Sequence, residues 1–138
     1  MMLLRGKRRT RGSTLIEVMI SVAIFLLGMQ SLLSVSIASI MQAKRAEYVY
    51  KASGLAKNHM ERLRAYSFAA LSSAAETSTV INSDGDPDTT GSFIRTTTVT
   101  TNYNSNSNLT QVTVQVWFLM KGVQSPQPMT LSCVMYNG

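Results

Sequence analysis

Hydrophobic positions fall along the chain in three regimes. Residues 18–43 carry no charged side chain at all, and a helix of that length, rising ~1.5 Å per residue, reaches ~39 Å, enough to cross a bilayer with some tilt. Just ahead of it, Thr14 and Glu17 stand at capping-box spacing, which marks a helix start. Beyond Ala43 polar residues return, yet Val49, Ala52, Leu55, Ala56, Met60 and Leu63 recur at helical spacing and define one apolar stripe beside a polar face. No proline occurs before Pro87, and Glu47–Lys51 and Lys57–Glu61 are spaced i, i+4, so the helix is expected to run on to about Tyr66. One helix therefore changes solvent midway, from lipid to water.

The third regime is strand-like. Residues 67–92, rich in Ser, Ala, Thr and Asp and containing Gly85, Pro87 and Gly91, read as a surface connection. In Gln111–Lys121 the residues Val112, Val114, Val116, Phe118 and Met120 alternate with Thr113, Gln115, Trp117 and Leu119, the period of a strand with one apolar face. Phe93–Thr101 is Thr-rich and β-prone, Met129–Tyr136 places Met129, Leu131, Cys133 and Met135 on one face, and Asn102–Asn108 is a turn-rich hairpin connection. A sheet over residues 93–136 needs a cover, and the apolar stripe on the second half of the helix is the surface left for it. The expected fold class is α+β, a long N-terminal helix packed on a small C-terminal antiparallel sheet. Trp117 and Leu119, opposite the valines, are either covered by a loop or form an exposed contact patch.

Charge sharpens this division. Of 13 Lys and Arg residues, five (Arg5, Lys7, Arg8, Arg9 and Arg11) precede Ser13 with no acid among them, so the net +6 of the whole chain shrinks to eight bases against seven acids in the rest. The basicity is thus a feature of a leader, residues 1–12, and no nucleic-acid footprint spreads over the folded part. Lys and Arg clustered before a span hold that end in the cytoplasm and place everything after Ala43 outside. The single cysteine, Cys133, cannot form an intrachain disulfide, and its place on an apolar strand face reads as a small core residue.

Glu17 is the only charge between Ser13 and Ala43. A carboxylate near or within hydrocarbon either protonates or finds a cation, so its presence there marks function. Capping the helix is the simpler role, and the two are compatible.

Gly12 followed by Ser13-Thr14-Leu15-Ile16-Glu17-Val18-Met19-Ile20, behind a basic leader and ahead of a spanning helix, resembles the processing and methylation motif of type IV prepilins. The resemblance covers roughly the first third of the chain directly. It implies cleavage after Gly12 by a membrane prepilin peptidase, N-methylation of Ser13, and a pairing of Glu17 with the terminal amine of a neighbouring subunit that sets axial register. It implies residues 13–43 as the assembly half of the helix and 44–138 as a periplasmic pilin-like domain. Family members usually begin the mature chain with Phe where Ser13 stands here. Major pilins usually carry a proline in the membrane helix and a C-terminal disulfide loop, which this chain lacks, so it resembles a minor pilin of the PilV kind. The implied partners are other minor pilins, the major pilin and the assembly platform of the inner membrane, with the cell surface as destination and no cofactor or enzymatic activity.

Other readings remain. The I-type minor pseudopilin of type II secretion has a similar layout, and a DNA- or surface-binding pilin is a further alternative, though the near-neutral mature charge disfavours DNA. An ordinary secretory signal would be cut near Ser36-Ile37-Ala38, and a signal anchor could tether an enzyme, although no acid–base pair, nucleophile motif or phosphate loop is visible. Asp84, Asp86 and Asp88 alternate as in a calcium loop, but Thr89 stands where that loop requires Gly and Arg95 where it requires a bidentate Glu, so a solvated turn is expected and a metal only weakly. His59, the sole histidine, reads as structural.

Overall fold

The computed structural model describes residues 14–137; the leader, Gly12 and Ser13 lie outside the described residues. The helix α1 runs Leu15–Arg64. By packing, the chain divides at Met41 and Gln42 into two units. From Leu15 to Met41 the first is helix alone, held by its own backbone hydrogen bonds, with every residue exposed. In the second unit α1 continues and buries Ala52, Leu55, Ala56, Met60 and Leu63, the expected stripe, with Val49 packed against them. The helix ends in two tightened bonds, Ala65 N–H to the Arg62 carbonyl and Tyr66 N–H to that of Leu63, both 3.1 Å, the i→i−3 pattern of a closing turn. Of the two i, i+4 pairs, Glu47–Lys51 forms at 2.8 Å, whereas Glu61 bonds Arg64 at 3.1 Å in place of Lys57. A Lys preceding its Glu is the weaker orientation on a helix.

Five antiparallel strands follow: β1 (Glu76–Ile81), β2 (Phe93–Thr101), β3 (Leu109–Met120), β4 (Val123–Gln124) and β5 (Met129–Tyr136). β3 is central, paired along one edge with β2 and along the other with β5 and, at its end, β4. β2 and β5 have the boundaries the sequence implies, and β3 begins two residues earlier than expected. Residues 67–92 differ from the expected connection, because they hold a 3-10 helix, Phe68–Ala74, and the edge strand β1. The cause is tertiary: Leu71 and Ile81 bury fully in the core, although no local periodicity announces them. β4 is also new, formed by a two-residue turn in which Lys121 and Gly122 both have positive φ, the geometry that matches strand twist in a tight hairpin.

The core lies between the stripe of α1 and the inner face of the sheet, where Val112, Val114, Val116 and Phe118 meet Met60 and Leu63. Tyr48 extends it, its ring 5.7 Å from Phe118 and 5.9 Å from Phe93. Cys133 and Met135 pack at its margin, while Leu131, expected on the same apolar face, is partly exposed. Met60→Ala is expected to cost about 3 kcal/mol, since truncating a fully buried side chain loses both transfer energy and packing; denaturant unfolding followed by fluorescence measures it. Gly91 is fixed by close approach, because a Cβ there would lie 2.1 Å from the Ile81 carbonyl oxygen. Gly91→Ala should therefore strip the loop from β1 and lower the unfolding midpoint.

Candidate functional site

The apolar half of α1 exposes Leu15, Phe25 and Leu32 at 80%, 67% and 71%, and its charge-free length qualifies it as a candidate membrane span. Of the five serines that interrupt the run, four are bonded within the helix: the hydroxyls of Ser21, Ser31, Ser34 and Ser36 donate to the carbonyls of Glu17, Leu27, Gln30 and Leu32 at 2.8–3.0 Å. Such internal bonds let hydroxyls enter a low-dielectric medium, and they keep side chains small where helices approach.

Glu17 lies in the first turn of α1 with its side chain exposed. Its N–H donates to the Thr14 carbonyl at 2.9 Å, as does Val18 N–H at 3.3 Å. That turn is closed by backbone groups, and no capping-box side-chain bond joins Thr14 and Glu17 among the described residues. Among the described residues, therefore, the helix start does not engage the carboxylate of Glu17.

The second unit holds a buried polar cluster that sequence reasoning missed. Arg95 and Thr97, on the inward face of β2, are 6% and 2% exposed. Arg95 makes a two-pronged contact with Glu76 of β1, Nε to Oε1 at 2.7 Å and Nη2 to Oε2 at 3.2 Å, and its Nη1 donates to the Gly85 carbonyl at 3.0 Å. The Thr97 hydroxyl donates to Glu76 Oε1 at 3.1 Å. His59 Nε2 from α1 lies 3.0 Å from that oxygen and 3.1 Å from Thr97 Oγ1. Since Thr97 spends its proton on Glu76, the network assigns the histidine proton to Nε2. Helix, edge strand, inner strand and loop thus meet on one carboxylate. The signal for it was Arg95 itself, a charge at an inward position of a strand between Phe93 and Thr97.

Burial, followed by the Arg95 charge, holds the His59 pKa below its ordinary 6.5 against the opposing pull of Glu76. For Glu76 burial pushes upward, but the Arg95 hydrogen bonds and charge, with Thr97 and His59, prevail and hold it below 4.5. Both groups therefore bind a proton more weakly folded than unfolded, and stability falls as pH drops. The expected result is a first decline of the melting temperature below about pH 6.5 from His59 and a second below about pH 4.5 from Glu76. In thermal melts across that range, His59→Gln should remove the first decline and retain the second.

The acidic turn is arranged by its own side chains. Asn82 Oδ1 accepts the N–H groups of Asp84 and Asp86 at 2.9 and 3.0 Å, and Asp88 Oδ1 accepts both the N–H and hydroxyl of Thr90 at 2.9 Å. Asp86 faces Arg62 at 4.0 Å. Among the described residues no cluster of three metal-type ligands forms, and Asp84, Asp86 and Asp88 are not gathered into one.

Cys133 is half-buried rather than enclosed, with Arg64 Nη2 3.5 Å from its sulfur. Glu17, in the first unit, and the His59 cluster, in the second, are separate features of the chain.

No curated protein and no solved structure matches the chain significantly. Residues 7–29 match the family model described as the prokaryotic N-terminal methylation motif. The chain thus carries a prepilin-type N-terminus that runs from the basic leader into an apolar helix, which supports a type IV pilin-like or pseudopilin role anchored in the inner membrane.

Proposed function

We propose that the chain is a minor type IV pilin of the PilV kind, a structural subunit that initiates or modifies pilus assembly. The observation that carries this is the methylation motif over residues 7–29 joined to a helix without charge from Val18 to Ala43. In this reading residues 1–12 are a leader, prepilin peptidase cuts after Gly12, and Ser13 becomes the methylated N-terminus. The amine so released is the cation for Glu17 of an adjacent subunit, and that pairing sets the axial register of the bundle. Assembly moves residues 13–43 from lipid into contact with similar helices, where Gly28, Ser31, Ser34 and Ala38 permit close approach. The domain of residues 44–138 is then presented outside the membrane, with other minor pilins and the major pilin as partners.

The same N-terminus serves minor pseudopilins of type II secretion, and the phenotype of a deletion, lost piliation against lost secretion, separates the two. Cleavage is tested by the intact mass of protein purified from membranes. A chain beginning at Ser13 is expected, Gly12→Asp should yield the uncut chain, and a terminus near Ala38 in the wild type would sink the proposal.

A further inference from the structure

Helix α1 covers one face of the sheet, and the opposite face has an unusual charge pattern. The outward positions of β2, β3 and β5 hold hydroxyl, amide and apolar side chains, with no Asp, Glu, Lys or Arg among them. An ordinary folded surface devotes about a quarter to a third of its positions to charge. In the centre, two rows cross three strands, Thr98–Thr113–Ser132 and Thr96–Gln115–Thr130. Their polar groups are already ordered: Thr113 Oγ1 and Ser132 Oγ lie 3.1 Å apart, and Gln111 Nε2 donates to the same serine at 3.1 Å. Trp117, half-buried beside Ile94, stands towards one end, and Tyr136, 68% exposed and paired with Leu109, stands at the other. Eight residues of β3 separate those ends, ~26 Å at the rise of a strand.

The chemistry of this face selects its partner. Nucleic acid and anionic lipid both require cations, and the face has none. A protein interface concentrates apolar and aromatic side chains and arginine at its centre and is poor in serine, whereas here the centre is threonine, serine and glutamine and the aromatics flank it. Hydroxyls and primary amides both donate and accept, which suits a ligand that is itself a dense, uncharged array of hydroxyls. The apolar faces of its rings would lie on indole and phenol. We propose that the outer face of β2, β3 and β5 is a docking platform for a neutral polysaccharide, with Gln115 and Gln111 bonding its hydroxyls and Trp117 and Tyr136 stacking on its rings. This stands independently of the pilin reading, since the residues belong to the sheet and not to the N-terminal motif.

Trp117 is the single tryptophan of the chain, so its emission reports this face directly. The full chain in a zwitterionic detergent, chosen because alkyl glycosides would compete, is titrated with neutral hexasaccharides of glucose, galactose and N-acetylglucosamine. A saturable emission change with at least one of them is expected, unaltered between about 0.05 and 0.5 M salt because no ion pair contributes. Gln115→Ala and Tyr136→Ala should each weaken binding about fivefold, the loss of one neutral contact, while Asp84→Asn, off the face, binds as wild type. No emission change with any of the three sugars would overturn the proposal, as would binding undiminished in both face variants. Neither result bears on cleavage after Gly12, so its failure is distinct from failure of the pilin assignment.

Discussion

Glu17→Ala is expected to leave cleavage after Gly12 intact and to cut incorporation into filaments at least about tenfold, an effect of at least ~1.4 kcal/mol per subunit. Glu17 is exposed in the first turn of α1, its N–H is already served by the Thr14 carbonyl, and among the described residues no side-chain bond reaches its carboxylate. Its loss should therefore spare the helix and remove the proposed intersubunit ion pair in a low-dielectric bundle, where attraction between opposite charges is strongest. Comparing the variant in membranes with the variant in sheared filaments separates the two steps. Glu17→Asp keeps the charge on a side chain one methylene shorter and should recover part of the incorporation. Normal filament levels of Glu17→Ala would rule the pairing out.

A second large effect is expected at Glu76. Removing its carboxylate leaves Arg95, 6% exposed, with a buried guanidinium whose remaining partner is the Gly85 carbonyl, and breaking a buried pair from one side typically costs about 3–5 kcal/mol. Glu76 is itself partly open to water, its side chain 22% exposed, which places the expected loss for Glu76→Ala near the lower end, about 3 kcal/mol. The double variant Glu76→Ala with Arg95→Met should recover most of it, because the apolar replacement no longer strands a charge. Denaturant unfolding of the full chain in detergent, read at Trp117, gives both values. A double variant no more stable than Glu76→Ala would show that the cluster acts through packing rather than through charge.

These two sites differ in how far they can be read without coordinates. Glu17 stands out in the sequence because everything around it from Ser13 to Ala43 is uncharged, and a lone charge in an apolar run is conspicuous by itself. Glu76 is one acid in a polar stretch of Ser, Thr and Ala, and nothing within that stretch distinguishes it. Its partners stand 17 to 21 positions away in His59, Arg95 and Thr97. Only the pairing of Glu76 with Thr97 across β1 and β2, together with the packing of α1 on the sheet, brings the four together. The same reason explains β1 and the 3-10 helix, which stand where turn composition reads as a connection. Leu71 and Ile81 are single apolar residues, too few to set a local period, and their burial is decided by the space between the helix and the sheet.

The charge-free outer face shows a third case. The alternation in β3 places Trp117 away from the valines, but only registry with β2 and β5 reveals that the uncharged positions of three strands adjoin. What the sequence determined alone is the part governed by local period and solvent: the helix and its midway change from an uninterrupted apolar run to a single apolar stripe, the stripe from Ala52 to Leu63, the strands of residues 93–136, and the motif at Gly12 and Glu17. Tertiary structure alone decided the edge strand β1, the hairpin at Lys121 and Gly122, the four-residue cluster around Glu76, and the neutral face. Each of these depends on groups distant in sequence, and contact between such groups is set by the packing of helix on sheet rather than by any neighbour in the chain.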